Sequence, residues 1–196
     1  MPFTLDTVPE GVRTGDFILR PITAADAELD HAAVMESREY LRGWEQDGGW
    51  PTDDFTVDAN REDLDGLERR HAEGRAFTYT VMDPAETECL GCVYFMPTDV
   101  RSFTTARITP VGEERWEDYE AAVYFWVRKS RLGTATDHAL RDTLRSWLAK
   151  DWNLRGHLFV TSELFTQQVE AWESGGLRRR FTIEESGKPG RYLAYL

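Results

Sequence analysis

Apolar and polar positions change period several times along the 196-residue chain, and the changes mark out an alternating set of elements. Residues 17–21 (FILRP) read as a first strand closed by proline. Thr23 then stands where a helix cap belongs, with Asp26 three residues on in a capping-box position, and the helical pattern continues through Ala32 to Met35 and toward Leu41. The loop RGWEQDGGWPTDD leads to a second helix over 57–73, stopped by Gly74. Two strands follow, AFTYTVMD and CLGCVYFMP, joined by a turn at Asp83-Pro84. Residues 98–115 carry no clear period. The near-continuous apolar run from Ala121 to Val127, rich in Val, Tyr, Phe and Trp, predicts a strand buried on both faces. Beyond it Leu140, Leu144, Trp147 and Leu148 recur at helical spacing, while Arg141, Asp142 and Arg145 fall off that face. A strand at 157–161, a helix at 166–174, a break at Gly175-Gly176 and closing strands near 181–185 and 192–196 complete the order.

Composition places these elements in one compact domain, 1–196, since 41% of residues are hydrophobic and no internal repeat or low-complexity tract divides the chain. No apolar run is long enough to span a bilayer and the first residues are polar and acidic, so a cytoplasmic location is expected, with no membrane association. With 35 acidic against 23 basic residues, the overall field repels nucleic acid and favours a cationic small molecule or peptide. Cys89 and Cys92 form a CxxC, but on a strand, without a helix opening at the motif or two more metal ligands nearby. Residues three apart on a regular strand point to opposite faces, so ordinary thiols are expected. The four histidines have no metal-ligand spacing, and no metal is expected.

Two segments carry candidate chemistry. In the first, the strand ending at Val127 passes through a short basic turn into a helix opening near Gly133, with Thr134, Thr136 and Asp137 in its first turn. Amide N–H groups at a helix start lack intrahelical partners and the helix dipole adds positive charge, so a phosphate can be held there. Arg128, Lys129 and Arg131 add local positive charge to an acidic chain, which favours an anionic ligand; an ordinary strand-to-helix connection is the other reading. In the second segment, Trp44 and Trp50 with Glu45, Asp47, Asp53 and Asp54 would line a cavity suited to an amine through charge and cation–π attraction. The alternative there is a loop anchored by two tryptophans, its carboxylates merely solvated. The run Arg178, Arg179, Arg180 is most simply a charged edge that discourages strand pairing between molecules.

Over nearly its whole length the chain resembles the GNAT family of acyl-coenzyme A dependent N-acyltransferases. FILRPITAADAELDHAAVME resembles the family's opening strand and helix, and CLGCVYFMP its central hairpin. VYFWVRKSRLGTATDHALRDTLRSWL resembles its cofactor-binding strand and helix, and VEAWESGGLRRRF its closing helix and turn. The resemblance implies an α/β fold with a mixed, strongly twisted central sheet of six to seven strands flanked by about four helices. It implies that two parallel central strands splay, that Phe125 and Val127 offer main-chain contacts to pantetheine, and that Leu132, Gly133, Thr134 and Ala135 cradle the phosphates. Arg128, Lys129 or Arg131 would meet the ribose phosphate. The implied activity is transfer of an acetyl group from acetyl-CoA to a primary amine of a small molecule or peptide by direct attack, without a metal, and with a homodimer left open.

Departures from the family pattern are equally specific. The family's loop usually reads Arg or Gln, two residues, Gly, any residue, Gly or Ala; matching Gly133 and Ala135 to its end puts Ser130 in the basic position, while a gap-free match puts Leu132 there and Ala135 at the central glycine, so the loop is degenerate either way. Trp172 stands where many members place a tyrosine acid, and indole cannot donate that proton usefully. Glu120, two residues before the usual base position, and Glu163, just after the next central strand, are the candidate catalytic bases. A catalytically silent GNAT-fold protein that binds a ligand or partner is the alternative.

Overall fold

The computed structural model describes residues 3, 5, 7–46 and 49–196, so Asp47 lies outside the described residues. Chain order is β1 (Val12–Arg13), β2 (Ile18–Pro21), α1 (Ala27–Glu45), α2 (Val57–Ala72), β3 (Phe77–Met82), β4 (Cys89–Pro97), α3 (Arg101–Thr104) and β5 (Arg107–Pro110). There follow β6 (Ala121–Val127), α4 (Ala135–Asp151), β7 (His157–Ser162), α5 (Thr166–Ser174), β8 (Arg179–Glu184) and β9 (Tyr192–Tyr195). The nine strands form one sheet in the order β1-β2-β3-β4-β6-β7-β9-β8-β5. Neighbours pair antiparallel except β6 and β7, which are parallel.

Nine strands and five helices exceed the six to seven and four expected, and the additions are short. β1 has two residues, α3 is one helical turn, and β5 is mostly exposed, so none repeats long enough to show a period. Elsewhere Thr23 and Asp26 form the expected capping box at the turn preceding α1, and Gly74 ends α2 at φ +66° as read; the Thr56 hydroxyl, which the sequence pattern did not single out, accepts from the Ala59 amide at the start of α2.

One sheet face packs α4 and α5 over Val123, Phe125, Val127, Phe95 and Phe159, with Leu140, Leu144, Trp147, Leu148 and Trp172 buried against them. The opposite face packs α1 and α2 over Met82, Cys92 and Trp126. A third cluster joins Phe103 to Leu158, Phe181 and Tyr192.

The CxxC departs from the expected geometry. Thr80 pairs with Cys92 and Val81 with Gly91, but Met82 pairs with Cys89, so the register shifts at this point and β4 carries an extra residue there. The bulge places both cysteines in the α1/α2 cluster rather than on opposite faces. Both are free and buried, and burial pushes both thiols up, so neither holds a reactive thiolate at neutral pH. At Gly91, where φ is +155°, a Cβ would lie 2.1 Å from the Trp126 carbonyl oxygen, so only glycine fits.

Candidate functional site

The site is built on the parting of β6 from β7. β6 pairs with β4 along its whole length, but with β7 only where Ala121, Ala122 and Val123 face His157, Leu158 and Phe159. Past Val123 the strands diverge, β7 continuing beside β9. The carbonyls of Tyr124 to Val127 on that side lose their ladder partners and must find others.

Two of them are satisfied by side chains from distant elements. The Gln168 amide on α5 donates to the Phe125 carbonyl at 2.9 Å and accepts from the Thr161 hydroxyl on β7, so one carboxamide bridges the splayed strands. The Tyr40 hydroxyl on α1 donates to the Val127 carbonyl. The Tyr40 ring stacks on Phe165 at 5.0 Å. Thus Phe125 and Val127 do present main-chain groups to the gap, but both carbonyls are occupied by the protein itself. Trp172 is buried among Phe125, Phe159 and Tyr195 and acts as core.

The turn after β6 is tied inward in the same way. Its amides donate to α1 and to α4: Lys129 to the Ser37 hydroxyl at 3.0 Å, Ser130 to Glu36 at 3.0 Å, and Gly133 to the Asp137 carboxylate at 3.0 Å. Gly133 occupies the left-handed region at φ +67°, which glycine tolerates best. Arg128 pairs with Glu36 and Glu88, Arg131 with Glu88 at 2.8 Å, and Lys129 with Glu39 at 3.5 Å. Counting Asp137, four carboxylates face three cations, so the run is not the free positive patch its sequence suggested. Burial pushes the Asp137 carboxyl up, partly opposed by its bond from Gly133.

The start of the helix itself stays open. The Thr134 hydroxyl turns back to the Arg131 carbonyl at 2.7 Å, so the first turn of α4, beginning at Ala135, has no side-chain cap. The uncapped helix start could therefore meet a phosphate group, whereas the strand edge at Phe125 and Val127 is closed by Gln168 and Tyr40. Leu132, half-buried, packs against both the α4-side and the α1-side clusters at the edge of this turn.

The two glutamates singled out in the sequence lie apart, each already engaged. Glu120 precedes the paired end of β6, accepts from the Arg155 amide at 3.1 Å, and borders a separate cavity beside Trp116 and Phe181. Glu163 accepts from the Arg191 amide at 2.8 Å and pairs with its guanidinium at 2.7 Å, which holds its carboxyl below the usual range.

Trp44 and Trp50 do come together, in a cavity of about 470 Å³ on the α1/α2 face. Sequence reasoning missed the other aromatic walls, Tyr94, Tyr124 and Tyr192. Tyr94 and Tyr124 are register partners on β4 and β6, and Trp44 lies 6.0 and 6.2 Å from their rings. Tyr124 is also the first residue past the point where β6 leaves β7, so this cavity opens beside the splay. Asp53, by contrast, is exposed and bound to Arg42 at 2.7 Å. Among the described residues no group of histidines, cysteines or carboxylates could hold a metal, and no helix is long and apolar enough to cross a membrane.

No family model and no curated protein sequence matches the chain. Solved structures match it nearly end to end. It is similar to the ribosomal-protein-S5-alanine acetyltransferase from Vibrio fischeri, at 16% sequence identity and a TM-score of 0.66, with 94% of each chain covered. It is similar to Mycobacterium smegmatis RimJ in complex with CoA-disulfide, at 18% identity and a TM-score of 0.66, covering 99% of this chain and 88% of that one. The microcin C7 self-immunity acetyltransferase MccE, solved with acetyl-CoA and AMP, matches at 11% identity and a TM-score of 0.66 over 96% of both chains. At such identities the likeness establishes the fold: the chain has the GNAT acetyltransferase fold.

Proposed function

We propose that this chain is an N-acetyltransferase that takes its acetyl group from acetyl-CoA and passes it to a primary amine of a small molecule or peptide. The observation that carries the reading is the parting of β6 from β7 just before an uncapped helix start, in a chain whose structural neighbours are acetyltransferases. The strand edge from Tyr124 to Val127 would align the pantetheine arm, and the uncapped first turn of α4 would hold phosphate through its amides, Arg128 and Arg131 being already paired with Glu36 and Glu88. The acceptor would enter from the aromatic cavity beside Tyr124. In the reaction a neutral amine attacks the thioester carbonyl, the C–S bond breaks, and the ammonium proton leaves with the thiolate. Glu120 and Glu163, each tied to an arginine, are poorly placed to take that proton.

A second reading, a silent GNAT-fold binding protein, is favoured by one specific observation: Gln168 and Tyr40 occupy the carbonyls that pantetheine would use. Calorimetric titration with acetyl-CoA, coupled to thiol release in the presence of an amine panel, decides between them. The enzyme reading expects saturable binding that the double variant Tyr40→Phe/Gln168→Ala strengthens. Absence of binding at millimolar acetyl-CoA in both proteins overturns it and leaves the silent fold.

A further inference from the structure

The cavity beside Tyr124 has a composition more specific than amine binding in general requires. Its walls are aromatic: Trp44, Tyr94, Tyr124 and Tyr192 converge from α1, β4, β6 and β9, with Phe103 and Trp50 closing the sides. The rings brace one another, Tyr124 standing edge-on to both Trp44 at 6.2 Å and Tyr192 at 6.3 Å, so the walls are preformed. Two polar groups on these walls are unspent. The indole N–H of Trp44, a residue only 5% exposed, has no hydrogen-bond partner among the described residues. The Tyr124 hydroxyl makes no hydrogen bond among them either, while Tyr94 accepts from Trp126 and Tyr192 donates to the Glu45 carbonyl. Of the two, the Tyr124 hydroxyl can accept from an ammonium, whereas the Trp44 N–H is a donor that a cation cannot meet.

Charge around the rim narrows the occupant further. The lining carries Glu45, Asp63 and Glu185 against Arg70 and Lys188, a formal sum of −1. One positive charge balances that rim, and a polycation would find too few carboxylates. A volume of about 470 Å³ suits a small molecule rather than a folded partner.

We infer that this cavity binds a small hydrophobic amine of single positive charge, an arylalkylamine, with its ring against Trp44 and Tyr124 and its ammonium toward Glu185 and Asp63. As the acetyl acceptor, that ligand rests on the function proposed above; as a bound species, it does not. Calorimetry without any acyl donor tests it, using 2-phenylethylamine as probe, 2-phenylethanol as its uncharged analogue and spermidine as the polycation. Phenylethylamine should bind saturably and about tenfold or more tightly than either control, the preference expected of one ammonium facing part-buried carboxylates while its ring fills the aromatic walls. Glu185→Gln, a shape-conserving change at a half-buried position, should weaken the amine severalfold and leave phenylethanol unchanged. Trp44→Leu should weaken both, with thermal unfolding confirming that the variant is folded. Equal or tighter binding of phenylethanol or spermidine, or no saturable binding of phenylethylamine, overturns the inference. Because no acyl donor is present, these results are separable from the acetyl-CoA titration: either reading can fail while the other holds.

Discussion

On the proposed function, removing a single hydroxyl should open the groove to coenzyme A. In the closed form Tyr40 donates to the Val127 carbonyl while its ring stacks on Phe165 at 5.0 Å, so Tyr40→Phe deletes the hydrogen bond and keeps the stack. A neutral hydrogen bond contributes about 1 kcal/mol net, and a carbonyl left buried without a donor costs about 1–3 kcal/mol, so the variant should unfold more easily by roughly that amount. If coenzyme A binds only the open form, whatever destabilises the closed form returns as affinity, and about 1 kcal/mol corresponds to roughly fivefold tighter binding. Gln168→Ala removes the second closure, from the Phe125 carbonyl and the Thr161 hydroxyl. With both changes the gain approaches about 2 kcal/mol, or roughly thirtyfold. Calorimetry with coenzyme A measures the dissociation constants, and denaturant unfolding measures the stability of the same proteins. Lower stability with unchanged or weaker coenzyme A binding would refute the reasoning, because the two side chains would then be structural and not a closure over the groove.

Three further outcomes follow from named contacts. Asp30 is buried beside Asn60 and Cys89, and desolvation pushes its carboxyl from 3.8 up to about 6. The folded state therefore holds an extra proton between those values and loses stability as pH rises through the window, so Asp30→Asn should be the more stable protein at pH 7 by up to about 3 kcal/mol, converging with the parent near pH 4 in urea unfolding. A difference independent of pH would refute the assignment. Gly91→Ala should lower stability by more than about 3 kcal/mol, since its Cβ would meet the Trp126 carbonyl at 2.1 Å in a backbone conformation alanine avoids; a melting temperature within error of the parent would contradict that geometry. Asp137→Asn keeps an acceptor for the Gly133 amide while removing a negative charge beside the phosphate cradle. It should tighten coenzyme A by about 1 kcal/mol at low salt and less at high salt, and weakened binding would place the phosphates elsewhere.

Most of the fold was legible because long elements repeat their period. The helix read over 57–73 is Val57–Ala72, and CLGCVYFMP is β4 residue for residue. What failed was whatever depends on a single inserted residue or on a partner far along the chain. The bulge near Leu90 cannot be read from alternation, because it is the break in that alternation, and it moved Cys89 to the face of Cys92. Tyr40 and Gln168 lie 87 and 43 residues from the carbonyls they occupy, and each sits in a helix pattern where it reads as an ordinary polar position. Tyr94 and Tyr124 are strand residues thirty apart whose meeting depends on the β4–β6 register. The signal for Tyr124 was nonetheless present: in VYFWV, alternation puts Tyr124 and Trp126 on one face and Phe125 and Val127 on the other. The cations of the turn were read correctly as residues and incorrectly as net charge, because their neutralising acids come from α1 and from Glu88.

Whether a groove closed in this way can still be a cofactor site is a question of magnitude. The closing contacts are two hydrogen bonds of about 1 kcal/mol each, one aromatic stack of about 0.5–1.5 kcal/mol, and surface ion pairs of about 0–1 kcal/mol each. Their sum, about 2.5–7.5 kcal/mol, would weaken an intrinsic nanomolar site to somewhere between about 0.1 µM and a few hundred micromolar. It would push an intrinsic micromolar site toward or beyond the millimolar range. The groove is thus closed firmly enough to be occupied by its own side chains when no ligand is present, yet loosely enough for a strong cofactor to displace them. Ordinary enzymes and silent folds differ here in the intrinsic strength of the phosphate end, where the first turn of α4 is uncapped and Asp137 lies across the Gly133 amide. On the proposed function, the helix start, more than the blocked strand edge, is the feature on which activity would turn: a cofactor anchored there would gain the energy to separate Tyr40 from Val127 and Gln168 from Phe125.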